Sequence, residues 1–166
     1  MTIGLRRKRD DREKNLLTKE GLRKLEDELQ NLKVNRRQEI AQKIKEAREQ
    51  GDLSENAEYD AARDEQRDIE ARIEEIEKIL KYAEVADEEE TEQGVVHFGS
   101  QVSVLDIGLE EVNSFKIVGS TESNILEGKL SNESPLGRAI LKRRVGEIVT
   151  VEAPAGNVDF RILDIR

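Results

Sequence analysis

The chain has 166 residues, 39% of them charged and 3% aromatic, with no cysteine, no tryptophan and a formal net charge of −9. Lacking cysteine, it has no disulfide framework, thiolate nucleophile or cysteine zinc site, and no apolar run reaches the roughly 18 residues a membrane-spanning helix needs. So few aromatic residues cannot fill one large core, so the apolar 36% must be concentrated along particular elements.

Residues 1–15 carry six Lys/Arg against three Asp/Glu, and no apolar stretch of the kind a signal peptide needs. A soluble, cytoplasmic protein is expected. Without aromatic interleaving or a groove-reading pattern, this basic extension is read as a disordered, solubilising tail rather than a phosphate-binding arm.

Helical periodicity begins at Thr18, a good N-cap, followed by Leu22, Leu25, Leu29 and Leu32 at heptad spacing. After a polar interval containing Arg36 and Arg37 the stripe resumes one position late at Ile40, Ile44 and Ala47, which predicts a continuing helix with a stutter in its seam. A second stripe runs through Ala62, Gln66, Ile69, Ile73, Ile76, Leu80 and Ala83. Two long helices with a short connection fold back on each other, so residues 16–84 are expected to form an antiparallel coiled-coil hairpin about 45 Å long. A rod of that length has too thin a core to enclose an enzyme pocket, but it can reach into one.

The tip of the hairpin, at 51–59, is acidic. Gly51 can supply the left-handed residue that closes the first helix. If Asp52 caps the second helix, Glu55 completes a capping box with it; if Ser54 is the cap, Asp52 is free for other work. Local spacing does not choose. The functional alternative is half a metal site, because Mg²⁺ wants six oxygen ligands and two exposed carboxylates supply only part of that set. Such a tip would have to deliver its acids to a partner that supplies the rest.

Residues 84–94 hold six acidic residues and no basic one, so self-repulsion predicts an extended acidic linker over 85–95. Beyond it the period changes to two, as in Val102 and Val104, Phe115 and Ile117, and Val158, Phe160 and Ile162, with glycines at turn-like intervals. Residues 96–166 are therefore expected to form a small, mainly antiparallel sheet domain. Its one helix should run from Pro135 to Leu141, capped by Ser134. Phe98, Phe115 and Phe160 are assigned to the core, and His97, the sole histidine, to a strand rather than a zinc site.

Two segments carry a specific resemblance. Residues 46–66, beginning Glu46-Ala47-Arg48-Glu49-Gln50-Gly51-Asp52-Leu53-Ser54-Glu55-Asn56-Ala57-Glu58-Tyr59-Asp60, closely resemble the signature of the bacterial transcript cleavage factors, the Gre family. Ser134-Pro135-Leu136-Gly137-Arg138-Ala139-Ile140-Leu141 resembles that family's C-terminal signature. The resemblance implies an α+β protein: a coiled-coil hairpin followed by an FKBP-like β domain with one helix, where FKBP-like describes shape and gives no basis for expecting prolyl isomerase activity; a monomer is expected. It further implies that the hairpin enters the secondary channel of bacterial RNA polymerase and stimulates cleavage of backtracked RNA 3′ ends. Asp52 and Glu55 would be the acids that help hold a Mg²⁺ shared with the polymerase; none would be bound when the protein is free. The factor would activate the polymerase's hydrolysis rather than be an enzyme itself, with the nascent RNA 3′ end as a second partner and no membrane involved. Asn56 and Tyr59 match the signature and would position acids, nucleotide or water, although Tyr59 could equally pack at the hairpin end. Arg48 and Arg63 match a basic patch that contacts RNA, or are ordinary solvated helix charges. The competing readings are a channel-occupying inhibitor of the same shape and a coiled-coil adaptor whose acids only cap a helix.

Overall fold

The computed structural model describes residues 14–51, 56–86 and 92–166. It opens on a short strand, β1 (Asn15–Leu17), from which Thr18 starts helix α1 (Lys19–Asn31). The Thr18 hydroxyl accepts the Gly21 amide at 2.9 Å, satisfying one of the amides a helix start leaves unpaired. A π-helical turn (Leu32–Arg36) then leads into α2 (Arg37–Glu49). This turn is the stutter: the Arg37 amide donates back to the Leu32 carbonyl, one residue further than in an α-helix, so one extra residue is taken up. With that residue absorbed, Leu29 and Leu32 face the same partner as Ile40 and Ile44.

That partner is α3 (Ala57–Lys81), which packs Ala62, Ile69 and Ile73 against Ile40 and Ile44, with Leu29, Leu32 and Tyr59 closing the sides. Each buried isoleucine contributes about 1.5–3 kcal/mol, and they are strung out in a line. Register is reinforced by charge. Arg37 grips Glu70 through two bonds of 2.8 and 2.7 Å, Arg72 grips Glu28 at 2.7 and 2.9 Å, and Glu65 takes Arg36 at 2.6 Å and Lys43 at 2.9 Å. These pairs are partly exposed and each is worth at most about 1 kcal/mol, so they align the helices more than they stabilise them.

The base of the hairpin differs from expectation. Asn15, assigned to the basic extension, is the first residue of β1, and Ala83, assigned to the helical seam, begins β2 (Ala83–Val85). The two strands pair in parallel, and the Asn15 side chain donates to the Ile79 carbonyl at 3.2 Å, tying the two ends of the hairpin together. Val85, assigned to the linker, belongs to β2, while Val95 at its other end bridges to Arg144 of the sheet domain. Residues 1–13 and 87–91, most of the predicted extension and the middle of the linker, lie outside the described residues.

The second unit is a five-stranded sheet in the order β5 (Lys129–Ser131), β4 (Glu111–Val118), β3 (Gln101–Asp106), β7 (Gly156–Ile165), β6 (Ile148–Ala153). Every pairing is antiparallel except β4 with β5. Its core unites Val102, Val104, Ile117 and Ile162 with Ile140 of helix α4 (Pro135–Ile140), and all three phenylalanines pack against it. Ser134 caps α4 by accepting the Gly137 amide at 3.0 Å and donates to the Ser131 carbonyl at 2.7 Å. Gly137 is required by proximity: a Cβ there would stand 2.0 Å from the Ser131 carbonyl oxygen. His97 lies in the turn before β3 rather than in a strand, its Nδ1 3.0 Å from the Val95 carbonyl and 3.1 Å from the Ser100 hydroxyl.

Candidate functional site at the hairpin tip

The α2 helix ends at Glu49, and Gly51 takes a φ of +113°, a conformation side chains with a Cβ rarely adopt, to turn the chain. Across the connection, α3 is capped by Asn56 rather than by Asp52 or Ser54. The Asn56 Oδ1 accepts the Tyr59 amide at 3.1 Å while its Nδ2 donates to the Ala47 carbonyl at 2.8 Å. One side chain thus satisfies an orphan amide at the start of α3 and a carbonyl near the end of α2. An aspartate or serine at this position could accept the first bond; only asparagine can also offer an amide donor to the second. Asn is itself a good N-cap type, so the sequence carries a signal for Asn56 that goes unused when only Asp52 and Ser54 are weighed as caps.

Asp52 and Glu55, the predicted acids, lie outside the described residues, in the four-residue segment between Gly51 and Asn56. Asn56 caps α3, and the start of that helix presents the positive end of its dipole, as the first-turn acids Glu58 and Asp60 exploit. Tyr59 is half-buried against the hairpin core, so it packs at the hairpin end. The guanidinium of Arg48 sits over its ring, 5.8 Å from the centroid, an arrangement worth about 0.5–1 kcal/mol at an exposed site. Arg63 lies one helical turn beyond Tyr59 and donates to Gln66 at 2.8 Å, its guanidinium exposed. Structure therefore brings Asn56, Tyr59 and Arg48 into one cluster, with Arg63 on the same side of α3. A cleft between the helices just below the tip is lined by Glu46, Gln50, Glu58 and Glu65 along with Lys43, so acid dominates this end of the rod. Among the described residues no group of three or more metal-ligating side chains comes together, and none of their helices is long and apolar enough to cross a membrane.

Two family models match the chain. One described as transcription elongation factor, N-terminal, covers residues 15–85 and the other, described as transcription elongation factor, GreA/GreB, C-terminal, covers 90–166. Their boundary falls in the acidic linker. A transcription elongation factor GreA of Lachnoclostridium phytofermentans is 58% identical over 92% of this chain and 96% of its own length. Its counterpart in Acetivibrio thermocellus is 50% identical over 91% and 95%. Among solved structures, the GreA factor homolog 1 protein of Thermus thermophilus is similar at 33% identity over 93% of this chain and 99% of that one, with a TM-score of 0.43. With both halves matched in order and half or more of the residues shared with full-length relatives, the chain belongs to the GreA/GreB family of transcription elongation factors.

Proposed function

We propose that this protein binds the RNA polymerase of its bacterial cytoplasm, inserts the hairpin into the polymerase's secondary channel and stimulates cleavage of backtracked RNA 3′ ends. The observation that carries the reading is the Asn56 clamp. By fastening the start of α3 to Ala47 it ties together the two helix ends that flank, in sequence, the segment carrying Asp52 and Glu55, and the cap itself is Asn56. Two carboxylates match one part of a Mg²⁺ ligand set, so the polymerase and the RNA phosphate must supply the remainder. When bound there, Mg²⁺ would stabilise charge on the phosphate and activate the attacking water. The chain's own contribution is to present Asp52 and Glu55 in the connection at the end of a rod about 45 Å long. Arg48, stacked on Tyr59, and Arg63 offer exposed guanidiniums beside the same tip, suited to the phosphates of the displaced RNA. The protein is an activator in this account, and hydrolysis belongs to the polymerase.

The test is RNA release from stalled, backtracked elongation complexes in Mg²⁺ with and without the protein. Release of 3′ fragments only when polymerase and factor are both present supports the proposal. Slowed elongation with no fragment release would instead identify an inhibitor occupying the channel, and cleavage of free RNA by the protein alone would make it a nuclease.

A further inference from the structure

The hairpin and the sheet domain meet at a joint whose parts come from opposite ends of the sequence. Glu122, half-buried in the turn after β4, accepts the Thr18 amide on one carboxylate oxygen at 2.8 Å and the Thr18 hydroxyl on the other at 2.6 Å. Because the hydroxyl proton goes to the carboxylate, its lone pair faces the Gly21 amide, which it accepts at 2.9 Å. The cap of α1 and the contact between the domains are therefore one hydrogen-bonded unit. Gly21 is buried directly under the carboxylate, and a Cβ on it would lie 2.0 Å from Oε1 of Glu122. Beside this, Gly119 approaches so closely that its Cβ would stand 1.9 Å from the Leu16 carbonyl oxygen. Lys116 of β4 reaches Glu20 of α1 at 3.3 Å across the same joint.

We propose that Glu122, acting through Thr18 and Gly21, is the positioning residue that fixes the direction of the hairpin relative to the sheet domain, so that the free protein is already shaped for a partner that grips both. The shape-holding part rests on this geometry alone; its consequence for transcript cleavage rests on the function proposed above. A charged acceptor taking two donors from one residue fixes direction as well as distance, which a loose apolar contact would not. If the joint is freed, only the correctly oriented fraction of molecules is competent to bind, and apparent affinity falls by that fraction.

The cysteine-free chain makes a direct test practical, since cysteines introduced at exposed Lys45 on α2 and exposed Glu152 on β6 are unique labelling sites. Spin-label distance distributions should be narrow in the otherwise wild-type protein and broad in both Glu122→Ala and Gly21→Ala. Glu122→Gln, which keeps one acceptor oxygen, should be intermediate. Gly21→Ala guards against misfolding as an explanation, because alanine favours the helix while its Cβ displaces the carboxylate. In the cleavage assay, unlabelled Glu122→Ala should need about tenfold more factor for half-maximal rate if the oriented fraction drops to about a tenth, with the maximal rate kept within about twofold. Unchanged distance distributions in both variants would overturn the positioning role. A fall in maximal rate with unchanged half-saturation would overturn its link to binding. Failure of the wild type to stimulate cleavage would remove the proposed function, leaving the distance measurement to decide the joint by itself.

Discussion

Two substitutions at Asn56, one to alanine and one to aspartate, separate the two tasks of the tip clamp. Asn56→Ala deletes both the cap on the Tyr59 amide and the bond to the Ala47 carbonyl. Loss of an N-cap costs about 1 kcal/mol and a part-buried hydrogen bond about the same, so the hairpin should lose about 2 kcal/mol. Asn56→Asp keeps the capping oxygen, since aspartate caps as well as asparagine, but it has no donor for Ala47; it should lose about 1 kcal/mol. Urea unfolding followed by far-UV circular dichroism measures both. In cleavage assays the aspartate variant should bind polymerase normally yet stimulate less, because its two helix ends are no longer fastened across Asp52 and Glu55. Should Asn56→Asp prove as stable and as active as the wild type, the bridge to Ala47 contributes nothing and the reasoning about the tip fails.

Other consequences follow from particular contacts. Gly137→Ala would drive a methyl group into the Ser131 carbonyl, a backbone atom that cannot swing aside, and should cost about 1–3 kcal/mol in calorimetry of the sheet domain. Deleting Val34, an exposed residue inside the π-helical turn, places Leu32 and Ile40 one heptad apart and should cost no more than about 1 kcal/mol in urea unfolding. Deleting Ala41 in regular α2 would turn Ile44 and Ala47 off their partner helix, at about 1.5–3 kcal/mol for the isoleucine alone; equal effects of the two deletions would contradict the stutter assignment. Acid should loosen the rod. Hydrogen bonds from Arg72 to Glu28, from Lys43 to Glu65 and from Arg37 to Glu70 hold these carboxyls below their ordinary 4.5 in the folded state. Their contribution is thus complete above that value and is lost as pH falls through the lowered folded values. The thermal midpoint of the helical signal should drop as pH falls below about 5 at low salt, and by somewhat less in Arg37→Gln, where one of these pairs is already absent; identical profiles would show that this pair does not couple to stability.

The parts of this protein that were legible in its sequence are those set by local periodicity. Thr18 caps a helix wherever it is read, and the heptads of Leu22 to Leu32 and of Ala62 to Ile76 need only each other. Even the one-residue slip before Ile40 was visible, although its form, a π-helical turn, depends on α3 holding both sides of the seam in line. What escaped reading is decided by contacts distant in sequence. Asp52, Ser54 and Asn56 are all adequate caps by type, and the choice among them turns on a carbonyl nine residues away at Ala47. Strands β1 and β2 have three residues each, too short to show alternation, and they exist because they pair with each other across the base of the hairpin. The Glu122 joint spans 104 positions and leaves no local mark except a glycine in the first turn of α1. At the tip, residue types suggest carboxylate chemistry, and the family match adds that the chain is a transcription elongation factor.

The central claim is that Asp52 and Glu55 are the working groups of a tip whose scaffold does not depend on them. Its most direct measurement compares the wild type with the Asp52→Ala/Glu55→Ala double variant on backtracked elongation complexes in Mg²⁺, with polymerase binding measured on the same samples. The account predicts binding within about twofold of wild type and RNA release no faster than that of polymerase alone. Release by the double variant at the wild-type rate would contradict it.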